Sequence, residues 1–217
     1  DVPGQGVGSA FYEQVGLLQR YASDELEVTV GGKGRADVHH FNTVDPASFL
    51  RCVGSRVPTV MHVHFLPDTL DGSIRLPAFA SVPFRWYVKK FYRAADNLVV
   101  VNPIFIEKLG AIGIEPGRVT YIPNFVSRDD FHALPAEDVD GLRERHGLDA
   151  GRFTVLGVGQ VQTRKGVLDF LEVARRLPEI QFVWCGGFSF GVITDGYPEL
   201  KAAVSDPPPN VTFAGIV

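Results

Sequence analysis

The chain has 217 residues, 45% of them hydrophobic, with 21 Lys and Arg against 25 Asp and Glu for a formal net charge of -4. That is enough apolar material to bury a proper core as one large domain or two small ones. The acidic balance gives no general reason to expect nucleic acid, and no apolar run approaches the roughly 20 residues of a membrane span, so the expectation is a soluble or peripheral protein.

The opening Asp1-Val-Pro-Gly-Gln-Gly has no basic flank and no apolar stretch, so no secretory signal is visible. Gly4-Gln-Gly-Val-Gly-Ser9 then leads into a predicted helix from Ser9 to Ala22, with Phe11, Val15, Leu18 and Ala22 on one face and Ser9 as its cap. Leu26 to Val30 and Val38 to Phe41 read as strands, Pro46 to Val53 as a short helix, and Pro58 to Val63 as a strand with a His-rich tip. A long apolar loop, Phe65 to Pro77, precedes a helix from Pro83 to Ala95 with its proline near the first turn. Strand Leu98 to Val101, helix Pro103 to Gly110 and strand Val119 to Ile122 follow.

Ser127 to Gly151 is polar, holds a predicted helix over Ala136 to His146, and reads as an interdomain connection. Beyond it come strand Phe153 to Leu156, helix Val167 to Arg176, strand Phe182 to Trp184, helix Pro198 to Val204 and strand Val211 to Phe213, with Pro207-Pro-Pro209 as a loop. Such alternation predicts an α/β protein of two Rossmann-like units with parallel sheets, residues 1–126 and 127–217, and a ligand at the carboxyl ends of the strands between them. Cys52 and Cys185 read as reduced core thiols of a cytosolic protein, with a disulfide as the alternative, and no Cys/His spacing matches a zinc site.

The most informative stretch is Gly157-Val-Gly-Gln-Val-Gln-Thr-Arg-Lys-Gly-Val167, at a predicted strand-to-helix turn. Glycines there let the backbone approach a bulky anion, the helix start supplies unpaired N–H groups, and Arg164 and Lys165 add positive charge. A diphosphate suits such a place, although a glycine turn alone also serves tight packing. Together with Val119-Thr-Tyr-Ile-Pro-Asn-Phe-Val126 upstream, this segment resembles the retaining glycosyltransferases of family 4, which have the two-domain GT-B fold. The combination of Gly-Gln-Val-Gln-x-Arg-Lys-Gly, an opening Gly-Gln-Gly-Val-Gly and a Val-His-Phe-Leu-Pro loop is similar to the branch that elongates diacylglycerol glycolipids.

The resemblance implies a hexose transfer from a nucleotide sugar, UDP-glucose or UDP-galactose, to an acceptor hydroxyl on a glycan or glycolipid. It implies no cofactor and no obligatory metal, and the departing phosphate itself takes the acceptor proton. It also implies that the first strand and the latter half of the second domain, with a glutamate pair for sugar and nucleotide, lie outside these residues, so that the second domain is truncated and the fragment alone is inactive. Gly6, Gly8, Gln160, Arg164, Lys165 and Gly166 then bind the donor diphosphate, with Gln160 standing where many members carry arginine. His64 orients the transferred sugar as the catalytic residue, while His62 and His40 have packing or supporting roles. Gly186 and Gly187 lie on the nucleotide side or form a plain tight turn, and Asn124 is read as a turn residue.

Asp68 in the long loop and Arg85, Trp86, Lys89 and Lys90 on the following helix are candidates for acceptor or membrane contact, and the same helix reads equally as an ordinary packed one. An anionic surface at the inner face of the plasma membrane is the implied partner. Two rival readings stand beside the transferase. A nicotinamide oxidoreductase requires Gly-x-Gly-x-x-Gly, which Gly4, Gly6 and Gly8 do not fit. A non-catalytic fragment would bind a membrane or partner through the Pro83 to Ala95 helix alone.

Overall fold

The computed structural model describes residues 6–31, 35–70, 77–129 and 131–217; Gly4 of the opening glycine segment and residues 71–76 of the long loop lie outside the described residues. Of the described residues, 9–70 and 77–126 make one compact unit, the first, and 127–217 make the other, with which residues 6–8 are grouped.

The first unit holds α1 (Gly6–Tyr21) from Ser9 onward and carries a four-stranded sheet in the order β1 (His39–Phe41), β2 (Thr59–Val63), β3 (Asn97–Val100), β4 (Val119–Tyr121), every pairing parallel. Parallel strands need crossovers, supplied by α2 (Pro46–Val53), α3 (Ala78–Ala94) and α4 (Ile104–Ala111). In α2, Asp45 accepts a hydrogen bond from Ser48 N at 2.9 Å and Pro46 occupies the first turn, where its missing N–H costs nothing. The core joins Met61, Val63, Leu98 and Val100 of the sheet to Val88, Phe91 and Tyr92 of α3 and Leu109 of α4. At the start of β2, Thr59 N and Oγ1 both donate to Asp96 at 2.8 Å, and Asp96 N donates back to Thr59 Oγ1 at 2.9 Å.

The second unit holds α5 (Ala136–Arg145) and a three-stranded parallel sheet, β5 (Thr154–Val158), β6 (Gln181–Cys185) and β7 (Val211–Gly215), crossed by α6 (Val167–Arg176) and α7 (Tyr197–Ser205). Val167, Leu171 and Ala174 recur at helical spacing and are fully buried, which is why α6 sits where its apolar stripe predicts. They pack with Phe182, Trp184 and Leu200. Cys52 and Cys185 belong to different units and are unbonded thiols.

Three expectations are corrected. Leu26 to Val30 is not a strand: Leu26 and Val30 are exposed, and among the described residues β1 is the edge of its sheet, so this segment has no ladder to join. Helix α1 starts at Gly6, so Ser9 lies within its first turns and does not cap it, and Gly6 and Gly8 belong to the helix, not to a loop ahead of it. Helix α3 starts at Ala78, which places Pro83 inside it, not at its first turn. The helix tolerates the ring because Pro83 and Phe79, whose carbonyl loses the hydrogen bond, both lie on the exposed side of α3.

Asn210 closes the second unit: its Nδ2 donates to the carbonyls of Ala174, Leu177 and Ile180 at 2.9, 3.0 and 2.9 Å, satisfying the frayed end of α6. Asn210→Ala is expected to destabilise this unit by about 1–3 kcal/mol, the loss of three part-buried hydrogen bonds that tie β7's entry to the end of α6, with Ala174 O and Leu177 O keeping only their backbone partners Leu177 N and Ile180 N. A urea melt in which the variant's transition coincides with wild type would contradict that accounting.

Candidate functional site

Strand β5 ends at Val158, and the chain then turns through Gly159 (φ 148°), a short 3-10 turn over Thr163–Lys165, and Gly166 (φ 72°) into α6. Lys165 therefore stands in its own turn, separated from the helix by a left-handed glycine. Its side chain lies back over Gly159: a Cβ at that glycine would come within 3.5 Å of Lys165 Cδ. Lys165 and Arg164 are exposed, and Gln160 is half-buried. Thr163 Oγ1 donates to Asp195 O at 3.1 Å, tying the turn to the segment before α7. The predicted Gln160, Arg164, Lys165 and Gly166 are thus brought together beside the first N–H groups of α6, which have no partners within the helix. Asp169 also stands in that first turn, with its Oδ2 3.5 Å from where a Cβ on Gly166 would be, so the cationic side chains carry most of the positive potential.

Gly186 follows β6 and meets this loop from below. A Cβ there would lie 1.9 Å from Gly159 O, at a φ of 139°. The glycine is required by backbone-to-backbone packing, whatever else it does. Gly159 N donates to Cys185 O at 2.9 Å, Val161 N to Gly187 O at 3.0 Å, and Trp184 Nε1 to Gly159 O at 2.9 Å. Gly186 and Gly187 accordingly form the floor of the loop that carries Lys165. Gly186→Ala is expected to weaken this unit much more than Gly191→Ala, whose φ is 54° but whose added Cβ meets nothing within 4 Å. The second change costs about 1–2 kcal/mol from the left-handed backbone alone; equal shifts in melting temperature would contradict the close approach.

In the first unit, His64 follows β2 and His40 lies in β1. His40, His62 and His64 form one parallel stack, with ring centroids 5.6 and 4.4 Å apart and planes within 6° and 4°. The alternation that puts residues 62 and 64 on one face produces this arrangement. His64 Nε2 lies 3.1 Å from Asn42 Oδ1, a partner that sequence reasoning missed because it sits on the neighbouring strand's exit and carries no motif. His62 is 8% exposed, neither ring nitrogen has a hydrogen-bond partner among the described residues, and it lines a small recess with Gln14 of α1, Ile122, Pro123, Asn124 and Phe125. Burial, followed by the neighbouring histidines, pushes His62 down to about 3 and His64 to about 4. Among the described residues no group of three His, Cys, Asp or Glu side chains is placed to hold a metal ion.

On α3, Val88, Phe91 and Tyr92 are buried, while Phe79, Val82 and Trp86 are 83%, 69% and 61% exposed, an apolar outward stripe. Lys90 Nζ sits 4.7 Å over the Trp86 ring. The basic side of this helix is smaller than its sequence suggests. Arg85 is paired with Asp68 at 2.5 Å, Lys89 is half-buried, and Arg93 donates to Ile112 O at 2.9 and 2.6 Å.

The neutral histidines set a pH dependence of stability. An unfolded histidine titrates near 6.5, so below that pH the unfolded chain binds protons that folded His62 and His64 refuse. Their contribution is complete above about pH 6.5 and is lost as pH falls toward 4 and 3. Stability is expected to fall on acidification from pH 6.5 to 5 by roughly 1.4 kcal/mol per pH unit for each proton taken up. His62→Phe should make that slope shallower; a wild-type profile flat over this range would show the rings to be charged or exposed.

The profile of Glycosyltransferase Family 4 matches residues 15–130, more than half of the chain. The chain is 48% identical over its whole length to alpha-galactosylglucosyldiacylglycerol synthase of Streptococcus pneumoniae, and 27% identical over 98% of its length to processive diacylglycerol alpha-glucosyltransferase of Acholeplasma laidlawii. It spans 58% and 61% of those two proteins. Among solved structures it is similar to Anabaena HepE in complex with UDP-glucose (TM-score 0.66, 20% identity, 83% of this chain and 48% of that one). It is also similar to sucrose-phosphate synthase of Thermosynechococcus elongatus (TM-score 0.64, 18% identity, 95% of this chain and 49% of that one). The α/β architecture with parallel sheets is that of the GT-B glycosyltransferases. On the profile match and this shared fold, the chain belongs to glycosyltransferase family 4.

Proposed function

We propose that the protein containing this chain is a retaining hexosyltransferase, taking the sugar from UDP-glucose or UDP-galactose and attaching it to a hydroxyl of a membrane glycolipid. The observation that carries the reading is the loop from Gly159 to Gly166, where Lys165 is folded back over a bare backbone at the start of α6. Lys165 and Arg164 meet the charge of the diphosphate as the glycosidic bond to it breaks, and the helix N-terminus adds to them. No cofactor or metal is needed in this scheme, and the leaving phosphate receives the acceptor proton. His64 orients the transferred hexose. Gly6 and Gly8 at the start of α1 offer backbone to the distal phosphate or sugar; an added Cβ at Gly8 meets nothing within 4 Å, so protein packing does not require that glycine.

The glycolipid acceptor is supported by the names of the two curated relatives and by the α3 surface. Phe79, Val82 and Trp86 present exposed apolar side chains with Lys90 beside them, a composition suited to the headgroup layer of an anionic membrane. No helix among the described residues is long and apolar enough to cross a membrane. A peripheral position at the cytoplasmic face of the plasma membrane fits this reading, with Asp68 and Arg85 anchoring the loop beside the helix.

Calorimetric titration of UDP and UDP-glucose into the full-length protein tests the donor site. Lys165→Ala is expected to weaken UDP binding roughly 10- to 100-fold, the loss of one charge-assisted contact; folded wild-type protein that binds no uridine nucleotide would remove the UDP donor. For the membrane surface, co-sedimentation with vesicles containing phosphatidylglycerol is the measurement. Binding should fall with salt and drop several-fold in Phe79→Ser/Trp86→Ser, whereas binding equal to wild type would move the membrane contact elsewhere.

A further inference from the structure

The partner of His64 has a chemistry that decides what the imidazole can do. Asn42 is the first residue after β1, half-buried, with its Oδ1 3.1 Å from His64 Nε2. An amide oxygen accepts and cannot donate, so Nε2 holds the proton and Nδ1 keeps its lone pair. A carboxylate at the same place would accept the same bond, but its charge would also favour the imidazolium and turn Nδ1 into a second donor. The neutral amide orients the ring without charging it. Stacking on His62, with centroids 4.4 Å apart and planes within 4°, holds the ring from one face.

We propose that Asn42 is a positioning residue for His64: its side-chain oxygen fixes the Nε2–H tautomer, and its neutrality keeps Nδ1 as an acceptor for a sugar hydroxyl. This rests on the donor-site reading above and adds to it a direction of hydrogen bonding. His64 receives a hydrogen bond from the hexose and does not act as an acid. The ionisable groups coupled to it are His62 of its own strand, ring on ring, and His40 of β1, stacked beyond His62. Neither offers a negative charge that would draw a proton onto His64. The amide at position 42 is therefore the contact whose replacement changes the charge state without changing the shape.

The test is long-range proton–nitrogen NMR of histidine-labelled full-length protein, run beside steady-state transfer from UDP-glucose. In wild type His64 is expected as the neutral Nε2–H tautomer from pH 8 to 5. Asn42→Asp, close to isosteric, should keep that bond but raise the His64 titration by about 1–3 pH units. Its kcat/KM should then fall below the raised midpoint, where wild type stays flat, and the added pH dependence should vanish in a His64→Gln background. A wild-type Nδ1–H tautomer, with the Asn42 amide donating, would overturn the proposal. So would an Asn42→Asp titration and pH profile unchanged from wild type. UDP titration on the same samples separates the two levels. Loss of UDP binding in wild type sinks the donor reading, whereas UDP binding with an unmoved pH profile sinks the role of Asn42 alone.

Discussion

The carbonyl oxygen of Gly159 is where the second unit's strand ends converge. Trp184 Nε1 donates to it from β6, and Gly186 passes so near that any side chain there would collide with it. Because two strand exits are locked backbone to backbone, the turn that follows starts from a fixed platform. Thr163 is then pinned to Asp195, and the chain reverses at Gly166 into α6. What is left exposed between these anchors is Thr163 and the pair of cations, Arg164 and Lys165, just ahead of α6. An anion site works best when its donors are held in place before the ligand arrives, and here the immobility comes from packing beneath the loop, not from contacts at its surface.

That platform also shows how far the sequence could be read. The bounds of α2 and α6 coincide with those expected, because Asp45-Pro46 is a strong start signal and Val167, Leu171 and Ala174 form an uninterrupted apolar stripe. Where a signal depended on something beyond its own segment, the reading failed. Leu26 to Val30 has strand-like composition but no neighbouring strand among the described residues, and β propensity describes fit to a sheet more than an intrinsic backbone state. Pro83 looked like a helix start, yet the apolar residues ahead of it extend the helix back to Ala78. At the candidate site the Gly159 to Gly166 loop was legible because its residues are contiguous. The Asn42–His64 pair was not, since parallel strands bring together residues 22 positions apart. The arginines of α3 also misled: charge can be counted in a sequence, but whether a carboxylate or a carbonyl already occupies it cannot.

The two units thus present opposite electrostatic characters. The second offers exposed cations on a turn anchored through Thr163 and Gly159, suited to holding a highly charged group. The first stacks three imidazoles, His62 buried, His64 half-buried and His40 exposed, a surface suited to neutral hydroxyls.

The placement of the two tryptophans has an optical consequence. Trp86 stands 61% exposed on the first unit, while Trp184 is 4% exposed in the second and bonded to the carbonyl that anchors the phosphate loop. Their emission should differ in wavelength, with the red component belonging to the first unit and the blue to the second. The protein carries, without any label, a separate fluorophore for each unit, and the blue one is wired directly to the loop on which the anion would rest.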